Sequence, residues 1–300
     1  MPVATLHLLS LTKSTDPSSF LHKLKQSPNI KVIVASRPRH IVIHPTTLDK
    51  NPLATQPWDL LVLLTPTKTT SNEDPIPPTL RHEVTAEYKL TTGIPSKLLA
   101  TYPSRNAQLK QTAPSTPLTG SLDKVLREGI KDSSQNLEVS PELLNFMTEL
   151  TKTHPGTVTM LNLLHFHHPD GKKSYYQYGQ AFIPVAGKRG GDAKLVGNVV
   201  SPGEGQVEDS RGRRDRPQQE WWNEISIVHY PSIRHFCDML AGHDYQEINE
   251  KYRLTVSYIT DRHFIADGEG DFSNLWQALR DTFLLCTTEF DVEGLGASKL

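Results

Sequence analysis

Three histidines crowd one short stretch of the 300-residue chain, His165, His167 and His168, and a fourth, His229, lies in a second apolar run. An imidazole titrates near neutral pH, so either group suits a proton-transfer base. On an extended strand His165 and His167 would face the same way, which also permits two metal ligands. A metal site needs a third protein ligand and support behind it, and His167-His168-Pro169-Asp170-Gly171 reads instead as an exposed turn. No metal is therefore expected.

Asn162 shares a strand face with Val158, Met160 and Leu164, and His229 shares one with Ile225 and Ile227. Each is a polar group in an apolar stripe, and the plainer reading of each is a hydrogen-bonded core group. An amide or a tyrosine hydroxyl beside a base can also hold the charge that grows on an enolate or phenolate oxygen. Tyr175, Tyr178 and Phe182 recur along one side of a following helix. Core packing explains that stripe, although the Tyr178 hydroxyl within it still needs a partner. The catalytic candidates are thus His229, His165, Tyr178 and Asn162, and the substrate-binding candidates are Tyr175, Arg189, Tyr230 and Arg253. Of these, the two arginines suit a substrate carboxylate. The first half of the chain offers His7, His40 and His44, without a triad, a phosphate-cradling glycine loop, paired carboxylates or a CxxC pair.

The elements that must carry these residues follow from apolar period and turn residues. Residues 4–11 read as a strand, and Asp16 caps a helix with Pro17 at its first position. Residues 31–44 read as extended and 60–64 as a buried strand closed by Pro66. A helix is predicted over 79–92 and a strand over 97–102, which completes a β-α-β-β-α-β order. Residues 111–154 form a connector, with a linker over 111–121 and a helix opened by Ser140-Pro141. The second half repeats the plan: a strand over 157–166, a helix capped by Ser174 and ending near Gly190-Gly191, strands over 194–200 and 221–230, and a helix begun by Pro231-Ser232. The basic cluster Arg211, Arg213, Arg214 and Arg216 reads as a solvated loop rather than a phosphate or import patch.

Charge and composition narrow the class. With 32 basic and 33 acidic side chains there is no field to attract nucleic acid. Cys237 and Cys286 are the two cysteines, too few for a disulfide scaffold and each inside an apolar pattern. No apolar run approaches the ~20 residues that span a bilayer, so no membrane partner is expected. Residues 1–11 lack the basic region of a signal peptide. The chain closes on Ser298-Lys299-Leu300, the tripeptide read by the peroxisomal import receptor, after a tail that begins at residue 291. The peroxisome is the expected compartment.

Residues 158–253 carry a string of spaced features: Met160-Leu161-Asn162-Leu163-Leu164, Tyr175, Tyr178-Gly179, Gly190-Gly191, Val196-Gly197, Tyr230-Pro231-Ser232 and Tyr245-Gln246. This string resembles the domain of unknown function 1330, a branch of the dimeric α/β-barrel superfamily. The resemblance implies a barrel built from two ferredoxin-like units with a small-molecule pocket between a sheet and its helices. The superfamily includes cofactor-independent monooxygenases, lactone isomerases, polyketide cyclases, dehydratases and some haem enzymes. The family pattern runs from Arg253 into a final strand at 281–289, so residues 254–277 stand as an insertion or an unspliced intron.

The sequence is therefore read as an α+β chain of two ferredoxin-like units forming an intrachain pseudo-dimer: an N-terminal domain over 1–110, a connector over 111–154 and a C-terminal dimeric α/β-barrel domain over 155–290. The expected function is a small-molecule enzyme without a tightly bound cofactor. It would act on an aromatic, polyketide or lipid-derived substrate by proton abstraction, isomerisation, cyclisation or oxygenation. The alternative is a non-catalytic binding or scaffold protein of the same fold. The expected partners are a small-molecule ligand and the import receptor, and the expected state is a monomer or a homodimer.

Overall fold

The computed structural model describes residues 1–67, 74–129, 138–201, 209–211, 216–252 and 278–290. Its strands are β1 (Val3–Leu11), β2 (Ile30–Ile43), β3 (Leu60–Pro66), β4 (Val84–Gly93), β5 (Val158–Phe166), β6 (Asp192–Val199), β7 (Glu224–Tyr230) and β8 (Leu279–Glu289). They close into one antiparallel barrel in the order β1-β3-β2-β8-β5-β7-β6-β4. The first four strands run β4-β1-β3-β2 and the last four run β8-β5-β7-β6, so both halves of the chain place their strands in the same relative order. The two expected domains share a single sheet. One seam is long, pairing Ser36 through Ile43 of β2 with Glu289 through Leu284 of β8. The other holds two pairs, Thr92 with Val199 and Gly93 with Asn198. Gly197 is needed there, because a Cβ would stand 2.5 Å from the Thr92 hydroxyl oxygen and 3.0 Å from the Gly93 carbonyl oxygen.

The helices are α1 (Pro17–Lys25), α2 (Lys50–Thr55), α3 (Pro78–Arg81), α4 (Ser96–Thr112), α5 (Ser121–Glu128), α6 (Pro141–Thr153), α7 (Gly171–Gly187), α8 (Ile233–Leu240) and α9 (His243–Tyr252). Among the described residues none is long and apolar enough to cross a membrane. The predicted caps of α1 and α6 form: the Asp16 carboxylate accepts from the Ser19 N–H at 2.9 Å and the Ser140 hydroxyl from the Leu143 N–H at 3.2 Å. α7 begins earlier than its predicted Ser174 cap, because Gly171 lets the chain pass so close to Ala278 that a Cβ would meet its carbonyl oxygen at 2.5 Å.

Two predicted elements exchange type. Residues 79–92 hold one helical turn, α3, and then strand β4, whose Tyr88 and Leu90 enter the barrel and whose backbone pairs with β1 from Val3↔Gly93 to Leu11↔Val84. Residues 97–102 lie in α4, opened by Pro95, rather than in a strand. The predicted linker over 111–121 opens on the last residues of α4.

Apolar side chains collect in three layers. Leu6, Leu8, Leu61, Leu63, Leu161, Leu163, Ile225, Ile227, Phe283 and Leu285 fill the barrel from both halves. α1 packs Phe20, Leu21 and Leu24 on the outer face of the first half. α5 through α9 cover the outer face of the second half, around Met160, Tyr178, Val228, Tyr230 and Leu284. Burying each such side chain contributes about 1.5–3 kcal/mol.

Candidate functional site

β5 and β7 are neighbours with Asn162 opposite Ser226, Leu164 opposite Glu224 and Met160 opposite Val228. Alternation sends Asn162, Ser226 and Glu224 out of the barrel, toward α7. Tyr175, Tyr178 and Phe182 of α7 form a ladder of rings with Phe166 at the end of β5 and Tyr245 of α9. Phe166 to Tyr175 and Tyr175 to Tyr178 are each 5.2 Å between centroids, Tyr178 to Phe182 is 5.7 Å, and Phe182 meets Tyr245 edge-on at 6.5 Å. Between ladder and sheet the side chains are small. Gly179 has nothing within 4 Å of where a Cβ would be, and Ser226 lies below. The result is a cavity of about 320 Å³, apolar on most of its wall. The equivalent space above the first half is filled by α1.

The cavity floor keeps three polar side chains with hydrogen-bonding capacity unspent. Asn162 donates one long bond, Nδ2 to the Met160 carbonyl oxygen at 3.3 Å. Among the described residues neither the Ser226 hydroxyl nor the Glu224 carboxylate has a hydrogen-bond partner. Burial raises the Glu224 carboxyl above its ordinary 4.5, opposed by the charge of Lys172. Lys172 stands at the cavity edge, where its ammonium donates to Asn198 Oδ1 at 2.6 Å. At the far end the Tyr178 hydroxyl donates to the Tyr245 hydroxyl at 3.4 Å and Tyr230 donates to the Met239 sulfur at 3.2 Å. Burial holds the Tyr230 phenol well above its usual range, so it remains a donor.

The candidates from sequence divide across the sheet. Asn162, Tyr175, Tyr178 and Tyr230 meet in this cavity. His229 and His165 face the barrel interior instead, on the strand faces of Ile225, Ile227, Leu161 and Leu163. The buried His165 ring uses its Nδ1–H to donate to the Trp221 carbonyl oxygen at 2.9 Å, and burial lowers its pKa. Burial and then Lys194 push His229 down to about 3, so it is neutral near pH 7. Arg189 is committed elsewhere: its guanidinium grips the Asp244 carboxylate at 3.0 and 3.1 Å and lies 3.5 Å from Asp238. Arg253, residues 254–277, and the terminal Ser298, Lys299 and Leu300 lie outside the described residues. Among the described residues no three metal-ligating side chains converge.

Sequence reasoning missed Glu224, Ser226, Lys172 and Gly179. The signal was present in the same strand, where Glu224 and Ser226 alternate with Ile225 and Ile227. Choosing the face that holds His229 hid the face that pairs with Asn162.

A second polar cluster closes one end of the barrel. The buried Glu289 carboxylate pairs with Lys194, with Lys110 at 3.1 Å, and accepts from Asn106 Nδ2 at 2.9 Å and the Tyr102 hydroxyl at 3.4 Å. Burial alone would raise that carboxyl, but the two lysines outweigh it and hold it at about 2. With its bonds satisfied, the cluster fastens α4 to the barrel.

No protein-family model matches the chain, and no curated protein matches it. Among solved structures, a "putative monooxygenase" from Lactobacillus acidophilus NCFM is similar over 96% of this chain and 93% of its own, at 9% identity and a TM-score of 0.43. A structure described as methylated RPA0582 protein is similar over 39% of this chain and 84% of its own, at 23% identity and a TM-score of 0.27.

Proposed function

We propose that this chain is a peroxisomal small-molecule enzyme that moves a proton on an apolar substrate held between α7 and the barrel, without a tightly bound cofactor. The observation that carries the reading is the floor of the cavity, where Asn162, Ser226 and Glu224 converge with unspent bonding capacity inside a wall that is otherwise apolar. Such a combination is the ordinary form of a small-molecule site. A carboxyl raised by burial is also the ordinary form of a general acid or base.

In this reading the substrate carries a carbonyl group that accepts from the Asn162 amide and the Ser226 hydroxyl. The Glu224 carboxylate takes a proton from the adjacent carbon, and the freed electron pair moves onto the carbonyl oxygen as an enolate. Returning the proton to another carbon completes an isomerisation, and attack of the enolate on a second group in the substrate completes a cyclisation. Oxygenation by molecular oxygen would begin with the same deprotonation. Tyr175 and Tyr178 pack the substrate from above. The equal strand order of the two halves supports a pseudo-dimer of two ferredoxin-like units in which the second half keeps the pocket. The compartment rests on Ser298-Lys299-Leu300 and is tested by fusing the last ten residues to a fluorescent protein, with and without that tripeptide.

The reaction is tested by deuterium exchange at the carbon between the carbonyl and the aromatic ring of β-tetralone, a two-ring ketone, followed by proton NMR. The protein should accelerate exchange, Glu224→Gln should lower the acceleration by about 10²–10⁴-fold, and His229→Gln should leave it within twofold. Ketone binding without exchange would make this a binding protein rather than an enzyme.

A further inference from the structure

The cavity under α7 does not stand alone. A second, more polar cavity of about 400 Å³ lies beside it, and the two share Phe166 and Lys172 as lining residues. The wall of the second cavity includes His167, His168, Gln218, Trp221 and Asn223, all able to donate hydrogen bonds. None of its lining residues is Asp or Glu, and Lys172 is its cation. The Lys172 ammonium has three donors and spends one on Asn198, itself part of this wall. Trp221 is 6% exposed, and among the described residues its indole N–H is without a partner.

A wall with a lysine and no carboxylate on one side of Phe166, and an apolar chamber on the other, describe a ligand with two ends. We propose that the substrate is an elongated carboxylate: an apolar body in the inner cavity beside Glu224, and a carboxylate tail in the outer cavity on Lys172. The inference rests on the reading of the inner cavity as the reactive site, and it adds the charge and length of the substrate. Lys172 then selects the substrate at the junction, while Glu224 serves the reaction.

The test uses phenylhexanoate and phenylhexanol, which share an apolar body and differ in the tail. Binding to the full chain is followed by tryptophan fluorescence, since Trp221 and Trp222 line the outer cavity. A hydrogen bond to a charged group contributes about 1.5–3 kcal/mol, so phenylhexanoate should bind at least about tenfold more tightly than phenylhexanol. Lys172→Gln, a change at an exposed side chain, should erase that preference while leaving phenylhexanol affinity within twofold. Gly179→Leu, which fills the inner cavity, should weaken both ligands. Equal binding of the two ligands by the unaltered chain, or a preference that survives Lys172→Gln, overturns the two-ended ligand and leaves the inner cavity as a site for neutral molecules. Failure of both ligands to bind the unaltered chain overturns the inference and the proposed function together.

Discussion

Replacing Glu289 by Gln removes the negative charge that fastens α4 to the barrel. The carboxyl lies at about 2 instead of its ordinary 4.5 in the folded chain. At about 1.4 kcal/mol per tenfold change in the proton equilibrium, the difference corresponds to roughly 3 kcal/mol of stability near pH 7. Because the folded value is depressed, that stability is complete above pH 4.5 and is lost as pH falls toward 2, so less than half should remain at pH 3. Gln also leaves Lys194 buried at 1% exposure without its counter-charge, which places the expected cost at pH 7 at about 3–5 kcal/mol. Urea unfolding followed by tryptophan fluorescence should show this loss. It should also show the gap between the unaltered chain and Glu289→Gln narrowing by about 2 kcal/mol on going from pH 7 to pH 3. The paired change Lys194→Met with Glu289→Leu should recover most of the loss, since it leaves no unpaired charge. A Glu289→Gln variant within about 1 kcal/mol of the unaltered chain at pH 7, or a gap that does not change with pH, would refute the role given to this cluster.

Asp281→Asn should cost about 2–4 kcal/mol in the same unfolding assay, because the carboxylate accepts from the backbone N–H groups of Thr46, Thr47 and Leu48 and from both threonine hydroxyls. Glu224→Gln should stabilise the chain at pH 7: the raised carboxyl makes its ionised form unfavourable in the folded state, so the gain appears as pH rises past 4.5 and vanishes below it. At Gly179, Ala should raise stability by about 0.5–1 kcal/mol as a helix-interior replacement, with open space for its methyl group. Leu at the same position should cut β-tetralone affinity at least tenfold without unfolding the chain, read by fluorescence titration and circular dichroism.

Much of this fold was legible because local chemistry decided it. Asp16-Pro17 and Ser140-Pro141 start helices wherever the rest of the chain lies, and the apolar alternation of β1, β5 and β7 survives into the barrel. Residues 79–92 were not legible, because Leu80, Val84 and Tyr88 repeat every four residues as on a helix while Ala86, Tyr88 and Leu90 alternate as on a strand. The open hydrogen-bonding edge of β1, some eighty residues away, decides between them. The site was half legible for a related reason. Alternation correctly groups Asn162 with Met160 and His229 with Ile227, but it does not say which face of a closed sheet looks into a packed barrel and which looks into a cavity. Both faces are apolar here, and the pairing of Asn162 with Ser226 is a long-range fact. Arg189 was drawn away from substrate by Asp244 and Asp238, acids that no local spacing associates with it.

The most direct measurement is the titration of the Glu224 carboxyl itself, by carbon-13 NMR of a glutamate-labelled chain, with the resonance assigned by its loss in Glu224→Gln. The Glu224 carboxyl should titrate above 4.5 in the free protein and rise further when β-tetralone fills the cavity and displaces water from the carboxylate. A Glu224 that titrates at or below 4.5, and does not respond to the ketone, would contradict the assignment of this cavity as the site where the proton moves.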